Sequence, residues 1–500
     1  MTPRPRRLRA LRGLPLLALL AAPMAAHGQT AAEPAPVVVA REIRLGAKPL
    51  RYTVETGRVA IRDVETGEPH GYMFYTAYRV TSPGKPRPVT FVWNGGPGAD
   101  STWLHFSVTG PKRVENGHLV DNADTWLGAS DLVLVDPIGT GFSRPTKPEY
   151  SQAFYGTVGD VASVTEFVRA WRVLHEADDA PLFLAGESWG AGRAASVAYA
   201  LERRGVTVDG LVLISGGAGL VKDYGSKSLR TALRVVDMAS TAFYHGKIPP
   251  ALGGDVGSVR KAAEAWARQT YAPALERLDS LTPEEREALA IDLANHIGLP
   301  PQVIDRKTLT VSPRQFRTQL LKAKGQDLYV FDMRLTASPA SEANGQAILR
   351  YFRRDLGYRT DLPYVGIDAP QAGFAPSGHY PAGVGERWDY ATEEVSPEAR
   401  HAAMAAAMAS GSGPPRLGAP LPGVEDALAL NPRLRVLVVA GLYDSFMPCA
   451  ENVELASQLP PNLAAAMRFK CYEGGHAIYK DAAARAQFSH DVEALIEKAP

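Results

Sequence analysis

The stretch Pro181-Leu-Phe-Leu-Ala-Gly-Glu-Ser-Trp-Gly-Ala-Gly192 limits what this chain can fold into more than any other. Leu182 to Ala185 is a short apolar run that reads as a buried strand, and Ala191 to Arg204 is a small-residue, Leu-rich segment that reads as a helix. Between them lies Gly186-Glu187-Ser188-Trp189-Gly190. A G-x-S-x-G between strand and helix suits a strained turn that pushes a serine oxygen out of a sheet. Small residues two positions either side let strand and helix come close. The same five residues also suit an ordinary strand-to-helix turn, so the rest of the chain has to decide.

Around this stretch the apolar pattern alternates between strand and helix. Arg51 to Ile61 and Gly71 to Val80 alternate with period two and read as antiparallel strands. Pro88 to Trp93 is a buried strand ending in Asn94-Gly95-Gly96-Pro97-Gly98, and Asp131 to Val135 is another, ending in Asp136-Pro137 and the loop Gly139 to Ser143. Val158 to Glu176 has helical spacing, and Val208 to Ile214 is the next strand. Strands alternating with helices predict an α/β fold with a mostly parallel central sheet flanked by helices. From residue 220 to 430 the chain is mainly helical, charged and punctuated by proline. Strands then resume at Leu434 to Ala440 and Met467 to Tyr472. The expected organisation is a sheet domain in two parts, 50–219 and 431–500, interrupted by an inserted, mainly helical cap at 220–430. A chain of 500 residues with 45% hydrophobic content is long enough to bury such a core.

The N-terminus has its own signature. Arg4, Arg6, Arg7, Arg9 and Arg12 precede the apolar run Leu14 to Ala22, and small residues follow up to Gly28. This pattern predicts a secretory signal peptide over 1–28, then a leader over 29–49, and hence an exported, periplasmic or secreted protein with no membrane association after cleavage. Lys+Arg 54 against Asp+Glu 53 leaves the chain nearly neutral, which argues against a nucleic-acid partner. The two cysteines, Cys449 and Cys471, are too isolated to suggest a zinc site. In an oxidising compartment one disulfide between them is expected, with two buried free thiols as the alternative.

A serine raised on such a turn needs a base, and the base needs an orienting carboxylate. The strand after the insertion runs into Gly441-Leu442-Tyr443-Asp444, and the next into Glu473-Gly474-Gly475-His476. Both acid and imidazole thus follow strands, at the sheet edge where ligands bind in parallel sheets. Ser188, Asp444 and His476 are therefore the candidate nucleophile, orienter and base. Charge developing on a carbonyl oxygen needs donors, and the backbone N–H groups of Gly95-Gly96 and of Trp189 are the candidates. No metal-ligand cluster and no nucleotide loop is legible, so no cofactor is expected.

At this point the chain resembles the serine carboxypeptidases, family S10, which are α/β-hydrolase exopeptidases that release C-terminal residues from peptides. Trp93 to Gly98, Asp136 to Ser143, Gly186 to Gly190 and Gly475-His476 carry the likeness. The resemblance implies an α/β-hydrolase fold, a peptide substrate, and an acyl-enzyme on a Ser188-His476-Asp444 triad. It also implies an oxyanion hole at Gly96 and Trp189, and binding of the substrate's terminal carboxylate by Asn94, Gly95 and Glu187. In the family a second Glu, a little after the Gly-Gly-Pro-Gly loop, shares a hydrogen bond with the residue matching Glu187. Here that region, Thr102 to Pro111, holds no Glu; Val108 falls near the place, with His105 and Ser107 as candidate substitutes. Ala99 stands where the family has a Cys. An esterase or acyltransferase on the same triad is the alternative activity, and Asp136 and Ser143 read as loop-holding residues. A Cys449–Cys471 bridge would tie the loops of Asp444 and His476 together.

Overall fold

Alternate residues of the central strands face opposite sides of one sheet, and both sides are buried. Leu182, Leu184, Val436 and Val438 join one core cluster, while Phe183, Ala185, Leu437 and Val439 join the other. The computed structural model describes residues 1–2, 33, 35–46, 48–81, 86–220, 222, 224–337, 342–368, 383–410 and 417–498. Apart from Met1 and Thr2, the expected signal peptide lies outside the described residues.

Among those residues the sheet has ten strands. Nine of them form its path: β1 (Val37–Leu45), β2 (Lys48–Arg62), β3 (Pro69–Val80), β4 (Val89–Trp93), β5 (Asp131–Asp136), β6 (Leu182–Glu187), β7 (Gly210–Ile214), β8 (Arg435–Gly441) and β9 (Met467–Tyr472). The short strand Arg144–Pro145 pairs with β3 off that path. The order is β1-β2-β3-β5-β4-β6-β7-β8-β9, antiparallel from β1 to β5 and parallel from β5 through β9. This mostly parallel sheet flanked by helices is an α/β-hydrolase arrangement. The chain leaves β4 toward β5 on one side and later returns to β6 on the other. The carboxyl ends of β4 and β6 therefore flank a topological switch point, where α/β sheets place their ligands.

Helices α1 (Thr157–Leu174) and α2 (Trp189–Glu202) cover one face, burying Val164, Phe167 and Trp171 from α1 and Ala194, Val197 and Leu201 from α2. On the other face α3 (Ala482–Glu497) buries Phe488, Val492 and Ile496 beside Trp126. Among the described residues no helix is long and apolar enough to cross a membrane.

The structure departs from the sequence expectations in three places. The sheet begins at Val37 rather than at Leu50: β1 pairs with β2 from Val37↔Thr56 to Leu45↔Lys48, so much of the expected leader is an edge strand. Its period-two signal is blurred because Val38, at 59% exposure, points outward like the charged residues that follow. The insertion is not one cap. Residues 227–333 build a separate helical core around Leu233, Val236, Leu293 and Phe316. Ile348, Phe352 and Tyr364 instead lie in the core beneath the sheet, where Phe352 meets Phe74 edge-on at 5.6 Å and Tyr364 meets Phe142 at 4.9 Å. These aromatic side chains bury their area against the sheet rather than within the cap. Finally, proline does not always punctuate the insertion: one helix runs from Val256 to Glu276 past Pro273, through a wider turn at Ala267–Tyr271 that accommodates the missing N–H.

Candidate active site

Strand β6 ends at Glu187 and α2 begins at Trp189, which leaves Ser188 alone at the turn with φ 57° and ψ −125°. A non-glycine residue holds that conformation only when its surroundings enforce it. The Ser188 N–H continues the ladder to the Ile214 carbonyl at 2.8 Å. A Cβ on Gly186 would stand 1.9 Å from the Gly190 carbonyl oxygen, so only glycine lets the helix return this closely over the strand.

The loop after β4 closes over the same turn. A Cβ on Gly95 would lie 2.5 Å from the Trp189 nitrogen, so the Gly95 backbone rests against the first N–H of α2. First-turn N–H groups have no intrahelical acceptor and carry the positive end of the helix dipole. Asn94 is held on several sides. Its Oδ1 accepts from the Leu104 N–H at 3.1 Å, its carbonyl accepts from Arg193 Nη1 at 2.8 Å, and its Nδ2 donates to Glu187 Oε2. Arg193 is in turn paired with Asp160 at 2.6 Å, both buried.

Asp444 follows β8 and His476 follows β9. His476 Nδ1 donates to Asp444 Oδ2 at 2.7 Å, and the other carboxylate oxygen accepts from the Phe446 N–H at 2.8 Å. His476 Nε2 is buried with no hydrogen-bond partner among the described residues. Ser188 and His476 both line a cleft of about 950 Å³, together with Gly95, Gly96, Glu187 and Trp189. Burial pushes the imidazole down, but the charge and hydrogen bond of Asp444, with Glu187 adding, outweigh it, so its pKa lies above the usual value. Among the described residues no cluster of His, Cys, Asp and Glu could hold a metal ion.

A hairpin from the insertion, bridged between Tyr329 and Asp332, grips both loops. The His476 N–H donates to the Phe331 carbonyl at 2.6 Å, the Ser445 hydroxyl to Val330 O at 2.6 Å, and the Met333 N–H to Tyr443 O at 2.9 Å. The Phe331 and Phe446 rings pack on the imidazole at 5.2 Å and 5.6 Å. Behind the loops Cys449 and Cys471 form a disulfide with Cα atoms 5.8 Å apart.

Glu187 is buried and accepts from the Tyr479 hydroxyl at 2.8 Å as well as from Asn94. Burial raises its pKa, and the charges of His476 and Lys480 and these hydrogen bonds only partly offset it. Of the substitutes expected near Val108, His105 does not take this role. Val108 is a core residue, and His105 turns inward, where its Nε2 meets the Tyr78 hydroxyl at 2.6 Å and burial lowers its pKa to about 3. Tyr479, which no periodicity or motif singles out, is the donor instead. Asp136 accepts from the Ser101 N–H and the Tyr364 hydroxyl, each at 2.8 Å; burial and the Asp100 carboxylate push it up to about 7. Ser143 bridges the Asp136 carbonyl at 2.6 Å and the Phe74 N–H at 2.7 Å, which ties this loop to β3.

Comparison with known proteins finds a family model and relatives that match parts of this chain. The serine carboxypeptidase family model matches residues 49–201, which take in the Asn94–Gly98 loop and the Ser188 turn but neither Asp444 nor His476. The pheromone-processing carboxypeptidase kex1 of Talaromyces stipitatus is 29% identical over 204 residues, 39% of this chain and 30% of its own length. KEX1 of Ajellomyces capsulatus is 37% identical over 110 residues, 21% of this chain and 16% of its own. Serine carboxypeptidase-like 51 of Arabidopsis thaliana is 30% identical over 131 residues, 24% and 27%. The chain thus spans less than a third of the length of these curated relatives. Among solved structures, proline iminopeptidase of Mycobacterium smegmatis aligns over 91% of this chain and 99% of its own, with 14% identity and a TM-score of 0.32.

Proposed function

We propose that this chain, a member of the serine carboxypeptidase family by its match over residues 49–201, releases C-terminal residues from peptides through an acyl-enzyme. In this reading Ser188 is the nucleophile, His476 the general base and Asp444 its orienter. The observation that carries it is an imidazole held at Nδ1 by a buried carboxylate, with Nε2 unpartnered among the described residues, in the cleft that a strained Ser188 also lines.

The Ser188 oxygen attacks the carbonyl of the terminal peptide bond as His476 Nε2 takes its proton. The negative charge that appears on the carbonyl oxygen falls to the N–H groups of Trp189 and Gly96, where one donor contributes about 3 kcal/mol. The imidazolium, stabilised by Asp444, returns the proton to the departing amine. Water then hydrolyses the ester by the same path. Asn94, Gly95 and Glu187 form the wall against which the terminal carboxylate is read. An exported location, periplasmic or secreted, belongs to the same proposal. The Cys449–Cys471 disulfide supports it, because such bonds persist in oxidising compartments.

A second reading, an esterase or acyltransferase on the same residues, has one observation in its favour: a core valine stands where the family has its second carboxyl group. Labelling by a fluorophosphonate tests the shared chemistry. The parent labels and Ser188→Ala does not; equal labelling of both refutes the triad. Turnover of blocked dipeptides with free and with amidated termini then separates the readings. Equal rates on the two defeat the carboxypeptidase.

A further inference from the structure

Glu187 leaves this cleft with a charge problem. A carboxylate arriving beside it is repelled unless Glu187 carries a proton or a cation stands close by. Arg193 also lines the cleft, and its Nη2 has no hydrogen-bond partner among the described residues, but its charge is already matched by Asp160 at 2.6 Å. Lys480 answers instead. It directly follows Tyr479 in the short turn Ile478–Lys480, so the residue that donates to Glu187 and the residue that carries the charge share one backbone segment. Its ammonium is among the charges that offset the burial of Glu187.

The Lys480 ammonium lies 4.4 Å from the centroid of the Trp103 ring. Trp103 is 42% exposed and lines the cleft with Asn94, Gly95 and Glu187. The indole also meets the Phe331 ring at 6.3 Å, and Phe331 rests on His476. A continuous aromatic wall therefore runs from the imidazole to the ammonium. A ring face holds a cation in position without neutralising it. No ion pair engages Lys480 among the described residues; the residue is exposed, and burial lowers its pKa while the charges of Glu187 and Asp332 partly offset that.

We infer that Lys480 reads the free α-carboxylate of the substrate, supplying from the Trp103 face the positive charge that lets an anion settle beside Glu187. This rests on the exopeptidase reading and deepens it by naming what makes a free terminus preferable to an amide. A second acid at position 108 is then unnecessary, because the repulsion is countered by a cation rather than by a shared proton.

The test uses an N-blocked dipeptide as its free acid and as its amide, on the full chain. A hydrogen bond to a charged group predicts that Lys480→Met lowers the acid-over-amide preference in kcat/KM by about 10- to 100-fold, while Lys480→Arg keeps most of it. Methionine preserves an apolar stem over Trp103, so the change isolates charge. Binding of the same two compounds to Ser188→Ala, with and without Lys480→Met, is measured by calorimetry and needs no turnover. A preference for the acid that collapses with Lys480→Met supports the inference, even if the assignment of Ser188 fails its labelling test. An acid preference unchanged by Lys480→Met, losses equal for acid and amide, or no acid preference in the parent each overturn it.

Discussion

Replacing Tyr479 by Phe removes one hydroxyl from the wall around Glu187 and leaves the ring in place. The hydroxyl donates to Glu187 Oε1 at 2.8 Å, and both residues are buried. Burial, with the charge and hydrogen bond of Glu187, raises the Tyr479 pKa well above its ordinary value, so the phenol remains a donor across the working range. A bond of this kind contributes about 1 kcal/mol to a neutral acceptor and about 1.5–3 kcal/mol to a charged one. The cost of Tyr479→Phe therefore depends on the state of Glu187. With Glu187 raised above its unfolded value of about 4.3, the folded chain binds the extra proton between the two pKa values, and stability falls as pH rises through that window. Losing a donor that favours the carboxylate raises the folded pKa further and extends the fall to higher pH. Urea denaturation of parent and variant over about pH 5 to about pH 9 checks this: the difference should grow from about 1 kcal/mol toward 1.5–3 kcal/mol as Glu187 ionises. A stability loss identical at every pH refutes the reasoning, because the hydroxyl would then serve packing and not the carboxylate.

Two further outcomes are expected. Reducing the Cys449–Cys471 bond, which closes a loop of sequence separation 22, should lower stability by about 3 kcal/mol and loosen the Asp444 and His476 loops together; an unchanged denaturation midpoint after confirmed reduction counts against this role. In Gly475→Ala the new methyl group would meet the Phe331 carbonyl oxygen at 2.3 Å and the Asp332 Cβ at 2.5 Å. The His476 loop must then move off the hairpin, and kcat should fall by at least about 10-fold through misplacement of the imidazole; full activity would show that the hairpin does not position it.

Much of the fold was legible because its signals are local. The run Leu182 to Ala185, the glycines about Ser188 and the small residues of α2 each sit within a few positions of what they control. The strands before Asp444 and His476 were readable for the same reason, and the structure joins the two side chains at 2.7 Å. The edge strand β1 was not, since only Ile43 among its residues is fully buried and the alternation carries little contrast. The second half of the insertion was not, since Phe352 and Tyr364 look like cap residues until the sheet is present to receive them.

The amino-acid sequence alone determined the order of the strands and helices from β2 through β7, the turn that carries Ser188 and the chain order of acid and imidazole, because backbone conformation and apolar period are written over neighbouring residues. Only the tertiary structure decided what surrounds Glu187. Tyr479 reaches it across 292 positions, Lys480 comes with it, and Phe331 closes on His476 from the insertion. Such partners are chosen by shape and charge at the place where distant segments meet, and no pattern along the chain encodes that meeting.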